Sequence, residues 1–170
     1  CLDVVEAASN YAEQARAILQ KGCVYECLFE EFQIKERYDT IAATWILEHV
    51  DNPSALLSRV RDWLNPKGCI YIAVPNAESL HRRVGLQMGL LNSLDQLNDS
   101  DIAIGHRRVY TWDTLTADIT AAGLQVVSLE GVLIKPLPSA AMEALSPDLR
   151  ASFFGLASIA PRRCSEIFAI

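Results

Sequence analysis

The 170-residue sequence predicts an α/β protein, a three-layer Rossmann-like sandwich with a mostly parallel sheet and an antiparallel closing strand. Three observations predict this fold. Short apolar runs alternate with segments whose apolar residues recur at helical spacing. The apolar runs lack the strict polar alternation of a half-exposed sheet, which is typical of parallel strands covered on both faces. Two final runs, residues 125–134 and 164–170, follow the last clear helix and close the sheet.

The first elements are two strands that flank a helix. Residues 2–5 form a β-rich run that ends at Glu6, and residues 23–28 form the second run. Between them, Asn10 begins a helix with Glu13 three residues later, a loose form of the capping box. Gly22 provides the stop. We therefore expect strand, acid, helix and strand in that order.

The stretch at residues 38–53, YDTIAATWILEHVDNP, is the centre of the predicted fold. It contains a buried strand opened by Asp39, and Asn52 with Pro53 supplies a helix N-cap and a favoured first helical residue. Trp45, Glu48 and His49 lie between the strand and the helix. That junction is the carboxyl end of a parallel strand, where doubly wound folds bind ligands.

The remaining elements follow in alternation. The central helix is expected to continue to Leu64 and to end in a turn at residues 65–68. A strand at 69–74, a helix at 77–91 weakened by Gly85 and Gly89, a polar loop at 95–101 and a helix capped by Thr111 come next. We assign residues 1–170 to one domain, in which residues 77–105 interrupt the alternation as a possible lid or substrate-facing insertion.

Composition narrows the class of protein. The sequence is 51% hydrophobic and 21% charged with a formal net charge of −6, which is typical of a globular domain and unfavourable for nucleic-acid binding. No apolar run approaches about 18 residues, so we expect no membrane partner and a cytoplasmic protein.

Five cysteines, an odd number, favour reduced and buried thiols. Because Cys23 and Cys27 would lie about 13 Å apart in a strand, no metal is expected.

Four blocks in order resemble the class I S-adenosylmethionine-dependent methyltransferases, in particular the type 11/type 23-like group that acts on small molecules. They are DVVEAASNYAEQAR at residues 3–16, the central stretch at 38–53, LNPKGCIYIAVPN at 64–76, and HRRVYTWDTLTADITAAGLQVVSLEG at 106–131. The resemblance covers about three quarters of the chain. It implies an enzyme with S-adenosylmethionine as its cofactor and a small-molecule methyl acceptor as its partner.

The resemblance also implies roles for single residues near the cofactor. Glu6 matches the acid that accepts hydrogen bonds from the ribose hydroxyls, with Ala7 beside it; the alternative is a solvated acid near a helix N-terminus. Leu28 and Phe29 match the wall of the purine site, or else pack in the core. The segment that passes the methionyl end of the cofactor is matched by Ala43, Thr44 and Trp45.

Residues of the acceptor side are implied in the same way. His49 completes the LEH signature and is a candidate general base, although a packing or hydrogen-bonding role is the alternative. His106, Arg107 and Tyr110 match positions near the mouth of the active site and are candidates for contact with substrate. Their alternative is a surface turn.

One family feature has no match. The first strand and its glycine-rich turn precede the acid in the family, and none of the eight glycines here stands in such a loop. We therefore expect the sequence to be N-terminally incomplete, since strands ending at Glu6 and Thr44 would otherwise flank a gap in the sheet. Two alternatives stay open: a non-catalytic methyltransferase-like binding module, and a nicotinamide-dependent Rossmann enzyme, in which Glu6 would also serve a ribose.

Overall fold

A computed structural model describes residues 2–34 and 36–170, with the side chain of residue 140 left aside. The chain divides into two compact units, Cys1–Arg37 and Tyr38–Ile170. The first unit contains β1 (Val4–Val5), α1 (Ser9–Ile18) and β2 (Val24–Tyr25). β1 and β2 pair in parallel. The predicted order of strand, acid, helix and strand is thus correct, although both strands are shorter than expected.

The start of α1 differs from the prediction. Its N-cap is Ala8, which makes no side-chain capping bond, and Asn10 already lies within the helix. The predicted capping box of Asn10 and Glu13 is therefore wrong. Glu6 compensates, because its Oε1 accepts a hydrogen bond of 2.7 Å from the Ala8 N–H just ahead of the helix.

The second unit is built on one four-stranded sheet. Its strands are β3 (Tyr38–Thr44), β4 (Leu64–Pro75), β5 (Leu129–Val132) and β6 (Glu166–Ala169), in the order β3-β4-β6-β5. β3 and β4 are parallel, and β6 is antiparallel to both β4 and β5. Three strands therefore run one way and the last runs against them. This arrangement confirms the predicted α/β class with an antiparallel closing strand.

The central helix begins as predicted and ends earlier. In α2 (Pro53–Asp62), Asn52 Oδ1 accepts the Ala55 N–H at 3.0 Å and Pro53 occupies the first turn. The expected turn at residues 65–68 lies inside β4 instead. It forms a bulge in which the register moves from Tyr38 opposite Leu64 to Thr40 opposite Cys69. Lys67 adopts a φ of 70° there, so the chain turns without leaving the sheet.

Shorter helices make up the rest. α3 (Leu80–Gln87) is shorter than predicted, and Gly89, with a φ of 71°, lies beyond its end. The expected loop at 95–101 is partly wrong, since α4 (Asp99–Ala103) begins within it on a capping box of Asn98 and Asp101. α5 (Trp112–Ala121) has the predicted Thr111 cap. α6 (Ser139–Glu143) and α7 (Pro147–Gly155) follow β5.

The core of the second unit lies between the sheet and the apolar faces of its helices. Many of the buried apolar residues come from β4 and β6 and from α2 and α5, and they include Ile72, Val74, Ile167, Leu57 and Leu115. Among the described cysteines, Cys23, Cys27, Cys69 and Cys164 are free, as expected, but only Cys164 is buried. Within the described ranges, no helix is long and apolar enough to cross a lipid bilayer.

Candidate active site

A cavity of about 480 Å³ opens at the carboxyl ends of the parallel strands. We call it the carboxyl-edge cavity. Its wall includes Trp45, Glu48 and His49 after β3, Asn76 after β4, Lys135 after β5, and Glu166 at the start of the antiparallel β6. α4 and its flanks add Asp101 and His106. The cavity thus lies at the edge where open α/β sheets bind ligands.

Trp45 turns the chain sharply at the end of β3. Its φ of 55° is in the left-handed region, an unusual conformation for a bulky residue. The backbone N–H still donates to Ala73 O at 2.8 Å, so the residue is held to β4. Its indole Nε1 donates to Glu166 Oε2 at 3.2 Å. Backbone strain of this kind is common at ligand sites, and here it directs the indole into the cavity wall.

Glu48 is the most unusual residue of the cavity. Its side chain is completely buried, and neither carboxylate oxygen has a hydrogen-bond partner among the described residues. Burial raises the pKa of Glu48 to about 7, its own backbone N–H opposes this rise, the charge of Glu166 adds to it, and Arg108 also opposes it. Burial likewise raises the pKa of Glu166 to about 7, against the Trp45 hydrogen bond and Lys135. Both carboxyl groups therefore titrate near neutral pH, where each can release or take up a proton.

Two histidines face each other beside Glu48. The rings of His49 and His106 are 4.8 Å apart at an interplanar angle of 72°. His49 Nδ1 lies 3.2 Å from Gly105 O, and His106 Nδ1 lies 3.5 Å from Asp101 Oδ1. Burial, and next the neighbouring His49, lower the pKa of His106. Candidate metal-ligand atoms of Glu48, His49 and His106 all lie within 4.8 Å of one another. The prediction of no metal rested on the spacing of Cys23 and Cys27 and did not consider these residues.

Arg107 and Arg108 fix the loop that carries Glu48 and His49, because they donate hydrogen bonds to its backbone carbonyls. The Arg107 N–H donates to Glu48 O at 2.8 Å, and its Nε donates to His49 O at 2.8 Å. Arg108 donates to Leu47 O at 2.7 Å and also to the carbonyls of Val50 and Asp51. These bonds explain why two blocks that are distant in sequence meet at one site.

A buried arginine fixes the α4 side of the cavity. Arg82 on α3 pairs with Asp101 at 3.0 Å, and their side chains are only 5% and 14% exposed. Its other nitrogens donate to the carbonyls of Leu94 and Gln96. The segment at 77–105 is therefore anchored to the cavity wall through Asp101. Its role as a lid or insertion stays a prediction.

The predicted acceptor-side residues separate into two groups. His106 and His49 both line the carboxyl-edge cavity. Arg107 and Tyr110 line a different cavity, of about 670 Å³. The Arg107 side chain is 54% exposed and pairs with Asp51 at 2.6 Å, and Tyr110 is 1% exposed with its hydroxyl bonded to Asp118 Oδ2 at 3.1 Å. Their contact with substrate stays a prediction.

The predicted cofactor residues lie in both units. In the first unit, Glu6 follows β1 and is half-buried, and Ala7 is exposed. Leu28 is 51% exposed and Phe29 is half-buried, in a turn where Leu28 O accepts the N–H groups of Glu31 and Phe32.

In the second unit, the three predicted cofactor residues are consecutive at the end of β3. Ala43 is 4% exposed, Thr44 is half-buried and Trp45 is 57% exposed. The roles of all seven residues stay predictions.

Sequence reasoning missed four charged residues of the cavity: Arg82, Asp101, Lys135 and Glu166. Glu166 is a carboxylate within the otherwise apolar closing strand CSEIFAI, and that contrast was the available signal. Asp101 was marked by the Asn-x-x-Asp spacing of a capping box. Lys135 follows β5 without a pattern that distinguishes it from a surface lysine.

Comparison with known proteins agrees with this fold. Over 98% of its length the chain superposes on an S-adenosylmethionine-dependent methyltransferase from Mesorhizobium loti, with a TM-score of 0.65, 15% identity and 78% of that chain covered. A mycolic acid cyclopropane synthase complexed with SAH matches 98% of the chain and 67% of its own, with a TM-score of 0.62 and 16% identity. The fold is thus that of the class I methyltransferases.

The family follows from the sequence. A family model described as a methyltransferase domain matches residues 3–129, and the chain belongs to that family. This confirms the predicted resemblance and excludes the nicotinamide-dependent alternative. A curated relative, the ubiquinone biosynthesis O-methyltransferase of Rhodopseudomonas palustris (strain BisB5), is 24% identical over 163 residues. That match covers 92% of this chain and 59% of the relative.

Proposed function

We propose that this protein transfers a methyl group from S-adenosylmethionine to a small-molecule acceptor. Membership of the methyltransferase domain family supports the reaction class. The relative named as an O-methyltransferase and the fold neighbour complexed with SAH support the cofactor and an oxygen acceptor. The observation that carries the proposal is the cavity at the carboxyl ends of β3 and β4, where the LEH residues of the central stretch meet His106.

The residues assigned to the cofactor suit its chemistry. Bound S-adenosylmethionine supplies an electrophilic methyl group on a sulfonium. In the first unit, the Glu6 carboxylate follows β1 and is oriented by the Ala8 N–H, as a group that accepts hydrogen bonds from ribose hydroxyls must be. Ala7, Leu28 and Phe29 are proposed for the nucleoside. Ala43, Thr44 and Trp45 are proposed for the methionyl end, where the small side chain of Ala43 permits close approach.

The acceptor side needs a group that removes a proton from the attacking hydroxyl. His49 is our candidate base, since it lies at the strand edge beside the cavity. Glu48 and Glu166, with pKa values raised to about 7 by burial, can hold or release a proton there. His106 is proposed to contact the acceptor from the carboxyl-edge cavity, and Arg107 and Tyr110, which line the cavity of about 670 Å³, are proposed as further substrate contacts.

A third cavity, of about 530 Å³, adjoins the carboxyl-edge cavity and favours an acceptor with an apolar part. Met142, Ala151 and Phe154 line it, and it shares Lys135 and Glu166 with the carboxyl-edge cavity. An acceptor that places its reacting oxygen near Glu48 and its apolar portion against Phe154 would occupy both. The free state of the described cysteines favours a reducing compartment, and we propose the cytoplasm.

Isothermal titration of S-adenosylhomocysteine into the full-length protein tests the cofactor. We expect one site, with affinity about tenfold lower in Glu6→Ala, because a charge-assisted hydrogen bond contributes about 1.5–3 kcal/mol. Glu13→Ala, an exposed acid on α1, is the matched control and should bind as the parent does. Failure of the full-length protein to bind would refute the proposal.

Turnover distinguishes the proposal from a non-catalytic module. A screen of hydroxylated aromatic and aliphatic acceptors, read out by formation of S-adenosylhomocysteine, should show release that depends on the acceptor. Binding of S-adenosylhomocysteine without release for any acceptor would favour the binding module.

A further inference from the structure

Three side chains with the chemistry of metal ligands converge in the carboxyl-edge cavity. Glu48 offers a carboxylate, and His49 and His106 each offer an imidazole nitrogen. These ligand atoms lie within 4.8 Å of one another, and all three residues line the cavity. We propose that Glu48, His49 and His106 bind one divalent transition-metal ion of the zinc class. This site does not depend on the proposed methyl transfer. In protein that holds the ion, His49 would be a ligand and could not act as the base, so the acceptor proton would pass to Glu166 instead.

The first argument is the state of Glu48. A completely buried carboxylate without a hydrogen-bond partner is costly, and such groups are normally paired or bound to a metal ion. The charge of Glu166 also acts on Glu48 and disfavours its ionised form, and Arg108 donates to the carbonyls of residues 47, 50 and 51. A cation in front of Glu48 would satisfy this carboxylate directly.

The second argument is the orientation of the two imidazoles. His49 Nδ1 is directed at Gly105 O, at 3.2 Å, and His106 Nδ1 is nearest to Asp101 Oδ1, at 3.5 Å. A carbonyl oxygen can only accept, so the Gly105 contact favours a proton on His49 Nδ1 and a free lone pair on Nε2. His106 Nδ1 faces Asp101 without forming a hydrogen bond among the described residues. A carboxylate or carbonyl behind the ligand is the usual outer partner of a metal-binding histidine. Asp101 is itself fixed by its pair with Arg82.

The third argument is preorganisation. Glu48 and His49 lie on one loop, whose carbonyls accept hydrogen bonds from Arg107 and Arg108 next to His106. Ligands of a tetrahedral zinc ion lie about 3.4 Å apart when each bond is about 2.1 Å. Starting from separations of at most 4.8 Å, small side-chain rotations bring the three atoms to that spacing.

The ligand set defines the class of metal. Two imidazoles and one carboxylate suit zinc, cobalt and iron better than magnesium or calcium, which prefer oxygen ligands. Three protein ligands leave a fourth position open, as in catalytic zinc sites. That position opens onto the cavity and is available to water or to an oxygen of the acceptor.

Cobalt provides the test, because tetrahedral Co²⁺ absorbs visible light and reports its ligands. Tag-free, metal-free full-length protein is titrated with Co²⁺ while the absorption spectrum is recorded. We expect one equivalent to produce d–d bands of a four-coordinate ion, without a thiolate charge-transfer band, and Zn²⁺ to abolish them. Glu48→Gln, His49→Ala and His106→Ala should each weaken binding at least tenfold.

The matched control is His81→Gln. His81 is a histidine of the same cavity wall that lies outside the three-residue cluster, so this variant should bind Co²⁺ as the parent does. Circular dichroism of each variant verifies folding, and Glu48→Gln, which removes a buried charge, should fold well. Three results would overturn the proposal: no stoichiometric binding by the parent, binding unaffected by all three ligand variants, or a thiolate band that assigns the ion to a cysteine.

The two proposals fail separately. Loss of Co²⁺ binding with intact titration of S-adenosylhomocysteine would overturn the metal site and leave the methyltransferase function in place. The reverse result would overturn the proposed function and leave the metal site.

Discussion

Two buried charged residues line the carboxyl-edge cavity, and one of them lacks partners whereas the other has several. Glu48 is completely buried with both oxygens unpaired among the described residues. Arg82 is almost as buried but pairs with Asp101 and donates to two carbonyls. Satisfied networks fix the position of a loop, and unsatisfied groups are what a ligand can recognise. The contrast separates the scaffold from the site.

The largest expected effect comes from breaking the scaffold at Arg82. Arg82→Ala leaves Asp101 buried without its partner, and we expect the free energy of unfolding to fall by about 3 kcal/mol. Urea denaturation followed by circular dichroism measures it. Arg83→Ala is the adjacent control, because the Arg83 side chain is 38% exposed and its 3.5 Å pair with Glu78 should contribute under about 1 kcal/mol. Equal losses in both variants would contradict the comparison.

His81 supplies a pH-dependent test on the cavity wall. Burial, followed by the charges of Lys135 and Arg82, lowers the pKa of His81 from 6.5 to about 4 in the folded state. The unfolded chain therefore takes up this proton first, and stability that is complete above pH 6.5 is lost as the pH falls towards 4. We expect this residue to account for a loss of about 2 kcal/mol.

The His81→Gln variant isolates that contribution from other titrating groups. Urea denaturation at several pH values between 7 and 4 should show that it loses about 2 kcal/mol less than the parent. Parallel curves for the two proteins would show that His81 does not titrate in this range.

A substitution at Glu48 should stabilise the protein, whereas the Arg82→Ala substitution should destabilise it. At pH 8 in the presence of EDTA, Glu48→Gln removes a buried charge that has no partner, and we expect the free energy of unfolding to rise by about 1 kcal/mol. Glu143→Gln, an exposed glutamate on α6, should change stability by under about 0.5 kcal/mol. A destabilised Glu48→Gln would show that the scaffold includes this carboxylate.

The smallest effect is expected at Trp45. Trp45→Phe keeps an aromatic ring but removes the Nε1 donor to Glu166, and the exposed position of the bond limits its contribution to about 0.5 kcal/mol. Thermal unfolding should show a shift of a few degrees at most. A loss of stability as large as that of Arg82→Ala would show that the Trp45 hydrogen bond is needed to hold the fold together.

Local signals were sufficient to predict the elements around the central stretch. The Asn52 and Pro53 start of α2 and the Thr111 cap of α5 were predicted correctly, because capping depends on neighbours in sequence. The end of α2 was not, since the turn residues 65–68 are compatible with either a loop or a bulge and pairing with β3 decides between them.

Most of the candidate site depends on contacts between distant segments. Glu48 and His49 were visible in the LEH signature, but Glu166 reaches the cavity only through the antiparallel register of β6. His106 was predicted as a substrate residue, while its approach to His49 depends on the hydrogen bonds from Arg107 and Arg108 to the loop. A contact of this kind between distant segments cannot be recognised from a pattern in a single sequence.

The position of β6 in the sheet has a consequence for biosynthesis. β6 lies between β4 and β5, so β5 is hydrogen bonded to the sheet only through a strand that is translated later. While the ribosome has yet to release residues 166–169, β4 exposes one open edge and β5 has no strand partner. Such edges favour aggregation of nascent chains. The four-stranded sheet should therefore become complete only after β6 has emerged.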